Sequence, residues 1–521
     1  MNRLTEATYS TSQYLTMGTT YSKPTAPPSE KTTTSFAPVY DDESPQSPPP
    51  YQFLEEDLEP EAERIPTLSL SHLKSWNESL LRDPKNRLAI TTLASQPYPQ
   101  LLTNRTTLHT TSQHIFNLQI PNEGAPITNQ RSSGRCWLFA STNIFRLPIM
   151  QAYNLGEFEL SQAYLFYWDK LEKANWFFEQ ILATATTEEL SGRLVQKLLE
   201  DPVTDGGQWD MVVNLVRKYG LVPSTVYPDN YNAMNSSRMN WLVTAKLREQ
   251  GLILRKLKRE GGKGVAEAKT RFLKEIHSLV TILLGPAPSP EERFVWQFYD
   301  ADGKARTVKV SPREFAGRVS TETAVRKVGG RVSVAPARLF SLVNDPRNEY
   351  NRLLTVERLG NVLEGRPLTY VNVEMKILKN AVIAMLKAGH PVFFGCDVGK
   401  SSDTSLGVMD ADLTDLALAF NISLGMSKAE RLASGESAMT HAMVITGAHL
   451  EDDGTPVRWR VENSWGEAAG QKGWFVMTDR WMDEYTFQAV VDAEFVSREV
   501  REILDQSPKV LPRWDPLGVL A

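Results

Sequence analysis

Asn129–Ser141 reads NQRSSGRCWLFAS and carries Cys136, one of only two cysteines in 521 residues. Cys136 follows a Ser132-Ser133-Gly134 run, whose small side chains let backbone approach closely, and it opens an apolar segment with helical spacing that reaches about Tyr153. Pro148 should kink or end that helix, because it lacks an N–H and its ring crowds the preceding turn. A thiol at a helix N-terminus faces unpaired N–H groups and the positive end of the helix dipole, and both favour the thiolate. Most free cysteines are simply small buried hydrophobes. Cys396, at the end of the apolar PVFFGCDV segment, has none of these neighbours and reads as structural.

A nucleophilic thiolate needs a base, and seven histidines are available. His72, His109 and His114 precede the cysteine, His277 lies in a charged helical stretch, and His390 sits in a Gly-His-Pro turn. None has an evident partner to orient an imidazole. His441 and His449 share the strand-like HAMVITGAH, followed by the turn EDDGT and the strand-like VRWRVEN. If this is a hairpin centred near Asp452, Asn463 falls opposite His441 on the same face. His449 lies eight residues nearer the turn, roughly 26 Å along a strand. The spacing therefore predicts an Asn463–His441 bond. Gln130, upstream of Cys136, supplies a side-chain amide that can join the Cys136 N–H as an oxyanion donor. Gln130, Cys136, His441 and Asn463 together form a set suited to acyl transfer.

Beyond this set, the sequence divides into regions. Residues 1–66 are rich in Ser, Thr and Pro and poor in aliphatics, which predicts disorder. Helical spacing begins with SLSHLKSWNESLLRD and returns in ELSQAYLFYWDKLEKANWFFEQI, where Ser161 is a candidate N-cap. An insertion of about 230–345 is charged and helical, with Val243, Leu247, Leu254 and Leu257 on one face, and then mixed. Strand patterns follow in TYVNVEM, PVFFGCDV, HAMVITGAHL, VRWRVENSW and GWFVMTD. Helices first and strands last predict an α+β fold with the site between two halves. The expected organisation is an extension over 1–66, one domain over 67–505 and a C-terminal arm over 506–521. A net charge of −5 gives no general pull toward nucleic acid, and no run is long and apolar enough to span a bilayer. Two cysteines cannot form a disulfide framework, which points to a reducing, cytoplasmic setting. The Ser/Thr-rich start leaves a mitochondrial presequence as a second reading.

Gln130, Cys136-Trp137, His441 and Asn463-Ser464-Trp465-Gly466 resemble the papain-like cysteine peptidases. RLVQKLL, DGGQWDMVVNLVRKYGL, MTHAMVITGAH, RWRVENSWG and LPRWDPLG are similar to the bleomycin hydrolase branch, and the likeness runs from about Leu68 to Ala521. It implies a helical half carrying the cysteine, a β-rich half carrying histidine and asparagine, and a homohexameric ring. The implied activity is removal of N-terminal residues from peptides, with bleomycin and homocysteine-thiolactone hydrolysis also associated, and no metal or organic cofactor. By the same resemblance Gly206 and Gly207 form the cleft wall that receives substrate backbone, Trp465 shields the His441–Asn463 bond, and the Ala521 carboxylate meets the substrate α-amine.

Two further partner readings come from the residues. Lys246, Arg248, Arg255, Lys256, Lys258 and Arg259 make the insertion basic and suggest a nucleic-acid-binding ring, although acids such as Glu249, Glu260 and Glu267 interleave with them. Pro48-Pro49-Pro50-Tyr51 matches the pattern bound by WW domains, which is common by chance in Pro-rich segments. A transglutaminase shares the Cys/His logic but orients its histidine with aspartate, where this chain has Asn463.

Overall fold

A computed structural model of the chain describes residues 68–320 and 338–520. The 1–66 extension, the Pro48-Pro49-Tyr51 motif and Ala521 lie outside the described residues.

The helical half is built around Cys136–Tyr153 and Gln162–Ala183. The first is apolar on nearly every side, as a helix buried all round must be. Pro148 does not end it. The helix runs five residues further and stops where Asn154 turns left-handed (φ 54°, ψ 59°). Burial of Leu147, Ile149 and Met150 on both sides of the proline offsets the one backbone bond it forfeits. Ser161 caps the second helix as expected, its Oγ accepting the Tyr164 N–H at 3.0 Å. Helices Ser237–Arg259 and Val265–Leu284, from the insertion, pack on Gln162–Ala183. They do so through buried Val243, Leu247 and Leu254, with Leu257 at the margin.

The β-rich half is one long mixed sheet. Its central strands run Leu339–Val343, Thr486–Asp492, Val392–Cys396, His441–Leu450, Pro456–Glu462 and Trp474–Thr478 in spatial order. The histidine strand therefore lies deep in the sheet, bonded on both sides.

One boundary differs from the expected one. The insertion ends before residue 345, because Leu339–Val343 is fully buried and pairs with Thr486–Asp492 in the main sheet. Within the insertion, Phe294–Tyr299 and Ala305–Val310 form a hairpin. It sets Trp296 and Phe298 edge-to-face with Tyr153 at the end of the cysteine helix. In the arm, Lys509–Leu511 adds a parallel strand beside Arg352–Val356, and Leu517 is buried.

The hairpin register also differs from the simple count. Val444 pairs with Glu462, so by the same count, three residues on, the position directly opposite His441 is Trp465 and Asn463 lies two residues away from it. The turn is centred on Asp453, closed by Glu451 N–H to Thr455 O and Gly454 N–H to Glu451 O. The two bulges, near Thr446 and Val457, lie on opposite strands and offset one another. The displacement is two residues, an even number, so Asn463 stays on the face of His441 as a diagonal neighbour.

Candidate active site

The end of the histidine strand meets the start of the cysteine helix. The Cys136 thiol faces the backbone N–H of Ala442, the residue after His441, and also the N–H groups of Trp137 and Cys136 itself. His441 Nε2 lies 2.9 Å from Asn463 Oδ1. That oxygen also receives the Ser464 N–H at 2.8 Å, which fixes it as the carbonyl end of the amide. His441 must then donate from Nε2, leaving the Nδ1 lone pair free to take a proton. The half-buried Trp465 ring covers the imidazole, with centroids 4.8 Å apart and planes tilted by 31°. Gly466 (φ 77°) turns the chain where a Cβ would strike Asn129 Nδ2 at 2.4 Å, so the NSWG glycine is obligatory.

Gln130 joins the two halves. Its N–H donates to Ser464 O at 2.8 Å, its Oε1 accepts from Ser464 Oγ at 2.8 Å, and its Nε2 donates to Ser133 O at 2.7 Å. An amide NH2 has two hydrogens, so one remains available.

Cys136 is 2% exposed, less open than a nucleophile is commonly imagined. Burial pushes its thiol up to about 11 against the pull of the neighbouring N–H groups, and burial takes His441 down to about 4 against its bond with Asn463. The helix terminus acts in the expected direction, yet desolvation outweighs it. Both shifts favour a neutral thiol beside a neutral imidazole as the resting state. Cys396, also free, pairs across the sheet with His441 and is held far more strongly as a neutral thiol.

Gly206 and Gly207 are buried, and a Cβ on Gly207 would lie 2.4 Å from the Trp137 indole. This glycine is required by packing against Trp137, in addition to any role toward a ligand. Gln208 follows, and its Nε2 donates to Val519 O at 3.1 Å, which places the arm beside this wall. The arm is fixed further by Arg347 to Asp515 at 2.9 Å and by Arg193 stacked on Trp514 at 4.3 Å. A surface groove of about 760 Å³ is lined by Leu190, Arg193, Leu199, Arg248, Leu252 and Trp514, and none of the catalytic candidates lines it.

Several supporting residues were not evident in the sequence. Arg135, fully buried, forms a two-pronged pair with Asp229 at 2.7 and 2.9 Å. Arg146 pairs with Glu462, next to Asn463, at 2.7 Å, and Asn143 donates to the same carboxylate at 3.0 Å. Lys170, Lys173 and Asp205 gather under the glycine wall. Lysines three residues apart, each with an acid beside it (Asp169, Glu172) in a helix rich in aromatics, and Asp205 before two glycines, were the available signal. The basic residues of the insertion are largely engaged internally. Arg248, Arg255 and Arg259 bond carbonyls of 185–200, and Lys246 pairs with Glu249.

The comparisons agree with this geometry. The Peptidase C1-like family profile matches residues 67–518. This chain belongs to the Peptidase C1-like family. It is a cysteine peptidase with the papain-type fold. Human bleomycin hydrolase is 45% identical over 425 residues, covering 79% of this chain and 89% of that protein. Yeast cysteine proteinase 1, mitochondrial, is 40% identical over 465 residues, covering 87% and 93%. The crystal structure of PepW from Lactobacillus rhamnosis superposes with a TM-score of 0.81 at 36% identity, over 88% of this chain and all of that one. Among the described residues no helix is long and apolar enough to cross a membrane.

Proposed function

We propose that the chain is an aminopeptidase in which Cys136 is the nucleophile, His441 the base and acid, Asn463 the group that orients the imidazole, and Gln130 an oxyanion donor. The Cys136 proton passes to His441 Nδ1 and Sγ attacks the substrate carbonyl. The Cys136 N–H and the free Gln130 N–H receive the developing oxyanion. His441 then protonates the leaving amine, and water activated by His441 releases the acyl group. Gly206, Gly207 and Trp465 flank the substrate backbone.

The observation that supports exopeptidase action is the Gln208–Val519 bond, which holds the arm at the residue that follows the Gly206-Gly207 wall. An arm lying there leaves room for little peptide before the scissile bond. Bleomycin-type amides, named for the human relative, fit the same chemistry. The test compares hydrolysis of free and N-acetylated peptides before and after deletion of Gly518–Ala521. The deletion should weaken cleavage of free-amine substrates and admit blocked ones. An unchanged preference for the free amine would place the selectivity elsewhere.

Self-association is part of the proposal. The helix Leu70–Arg82 buries none of its residues and leaves Leu70, Trp76, Leu80 and Leu81 exposed, an apolar surface of the kind subunit contacts use.

A further inference from the structure

We propose that Asp205 is a positioning residue for the reaction: it fixes the loop carrying Cys136 against the glycine wall of the cleft, and is itself held by Lys170 from the helix beneath. The proposal rests on Cys136 being the nucleophile.

Asp205 touches the chain on both sides of Cys136. Its Oδ2 accepts the Gly134 N–H at 3.1 Å, two residues before the thiol. Its carbonyl accepts the Trp137 indole N–H at 2.7 Å, one residue after. From behind, Lys170 Nζ reaches Oδ1 at 2.6 Å and Asn240 Nδ2 reaches the same oxygen at 2.7 Å, while Ser236 Oγ bonds Oδ2. Asp205 is thus the node at which three segments meet: the cysteine loop, the glycine wall and the first turn of the insertion helix Ser237–Arg259.

The lysines fix the wall independently. Lys170 also donates to Val203 O, and Lys173 donates to Thr204 O at 2.9 Å and Gly206 O at 2.6 Å. Lys173 is balanced by Asp169 at 2.6 Å. All four charged groups are buried, so each depends on the others for solvation.

The contact has no slack. A Cβ added at Gly134 would lie 2.9 Å from Asp205 Cβ, and one at Gly207 would enter the Trp137 ring. Neither cysteine is in a disulfide, so no covalent bond shares this task. A shift of Asp205 therefore moves the thiol relative to the wall, and such displacements are expensive in catalysis.

The charge of Asp205 works against the nucleophile. Burial pushes its carboxyl up, but Lys170 and the surrounding donors hold it well below the usual carboxylate range, and the resulting anion disfavours a thiolate at Cys136. A group that hinders thiolate formation and is nevertheless bonded on every side contributes through geometry.

The experiment is Asp205→Asn in the full chain. Two quantities are read: steady-state hydrolysis of an aminoacyl-fluorophore, and the pH dependence of Cys136 alkylation by iodoacetamide, with the modified cysteine located by mass spectrometry. The charged groups facing Asp205 are Lys170 and Lys173, with Asp169 on Lys173, and the N–H of Ala442, the residue after His441, faces Cys136. Removing the anion leaves the Lys170 cation uncompensated, so the alkylation midpoint should move to lower pH. The kcat should nevertheless fall by at least about tenfold with KM little changed, because the thiol is easier to ionise but misplaced. A folded variant with wild-type kcat overturns the proposal. So does a loss of turnover and alkylation in the same proportion as the folded fraction, which would indicate stability alone. If Asp205→Asn does not fold, the Ser236→Ala, Asn240→Ala double variant retains the Lys170 pair and should lower kcat several-fold. Wild-type kcat there also overturns the proposal. Cys136→Ala, assayed beside these, tests the nucleophile separately, since its retained activity would remove that premise and leave the brace unaddressed.

Discussion

The two walls of the cleft are held in place by different forces. His441 stands on a strand bonded to Val392–Cys396 on one side and Pro456–Glu462 on the other, among Met443, Val444 and Ile445 of the apolar core. Backbone ladders fix it, and its own side chain needs only Asn463. The loop before Cys136 has no such ladder. It is fixed by buried ions: Arg135 on Asp229, Asp205 on Gly134, and two lysines behind. A strand satisfies its backbone groups through its neighbours, whereas a buried loop must have its groups satisfied by side chains. Charge is one of the few devices strong enough to do this in a dry interior, but it requires every partner to be present.

Substitutions can test that contrast. The largest effect is expected from Cys136→Ala, which should cut turnover of an aminoacyl-fluorophore by on the order of 10⁴-fold or more while leaving the thermal unfolding midpoint nearly unchanged. Cys396→Ala should retain activity, and if the two results were exchanged the assignment would fail. Next is Arg146→Met, which strands Glu462 as a buried charge at the junction of the two walls. A loss of about 3–5 kcal/mol is expected in denaturant unfolding. A loss below about 1 kcal/mol would mean that the junction is not maintained by that ion pair. Asn463→Ala leaves the histidine strand bonded on both sides, so the imidazole should still sample its working orientation. Its kcat should fall roughly 10- to 100-fold, a part of what a positioned base contributes. An equal loss in Asn463→Ala and Cys136→Ala would deny the ladders their share in holding His441. The smallest effect should come from Gln208→Leu, which deletes a single bond to an arm anchored at several other points. About a fivefold loss of preference for free over acetylated amines is expected, the worth of one hydrogen bond.

The same contrast explains what could be read in advance. The histidine strand, its turn and Asn463 follow from two apolar strand-like runs flanking a turn, which are local signals. The register was displaced by two residues, yet the face survived because only odd slips invert a strand. The cap at Ser161 and the start of the helix at Cys136 were equally local. The burial of Lys170 and Lys173, in a helix, and of Asp205, in a bend, was not legible, because charged residues in both settings ordinarily face water, and only the packing of three distant segments buries these. The length of the cysteine helix past Pro148 was hidden for a similar reason, since the compensating burial comes from elsewhere in the chain. The Phe294–Val310 hairpin was signalled by Asp302-Gly303 between two alternating runs, and its setting in a charged insertion obscured it.

The absence of a disulfide between the cysteine loop and its wall bears on how the molecule is made and unmade. A cleft joined by ammonium and carboxylate groups can be dismantled by denaturant and rebuilt in the same buffer. Renaturation needs no oxidant, no pairing of thiols and no isomerase to correct a wrong pairing. A reductant strong enough to keep Cys136 from being oxidised leaves the scaffold around it intact. The chemistry that preserves the nucleophile and the chemistry that preserves the architecture therefore make no competing demands on the surroundings.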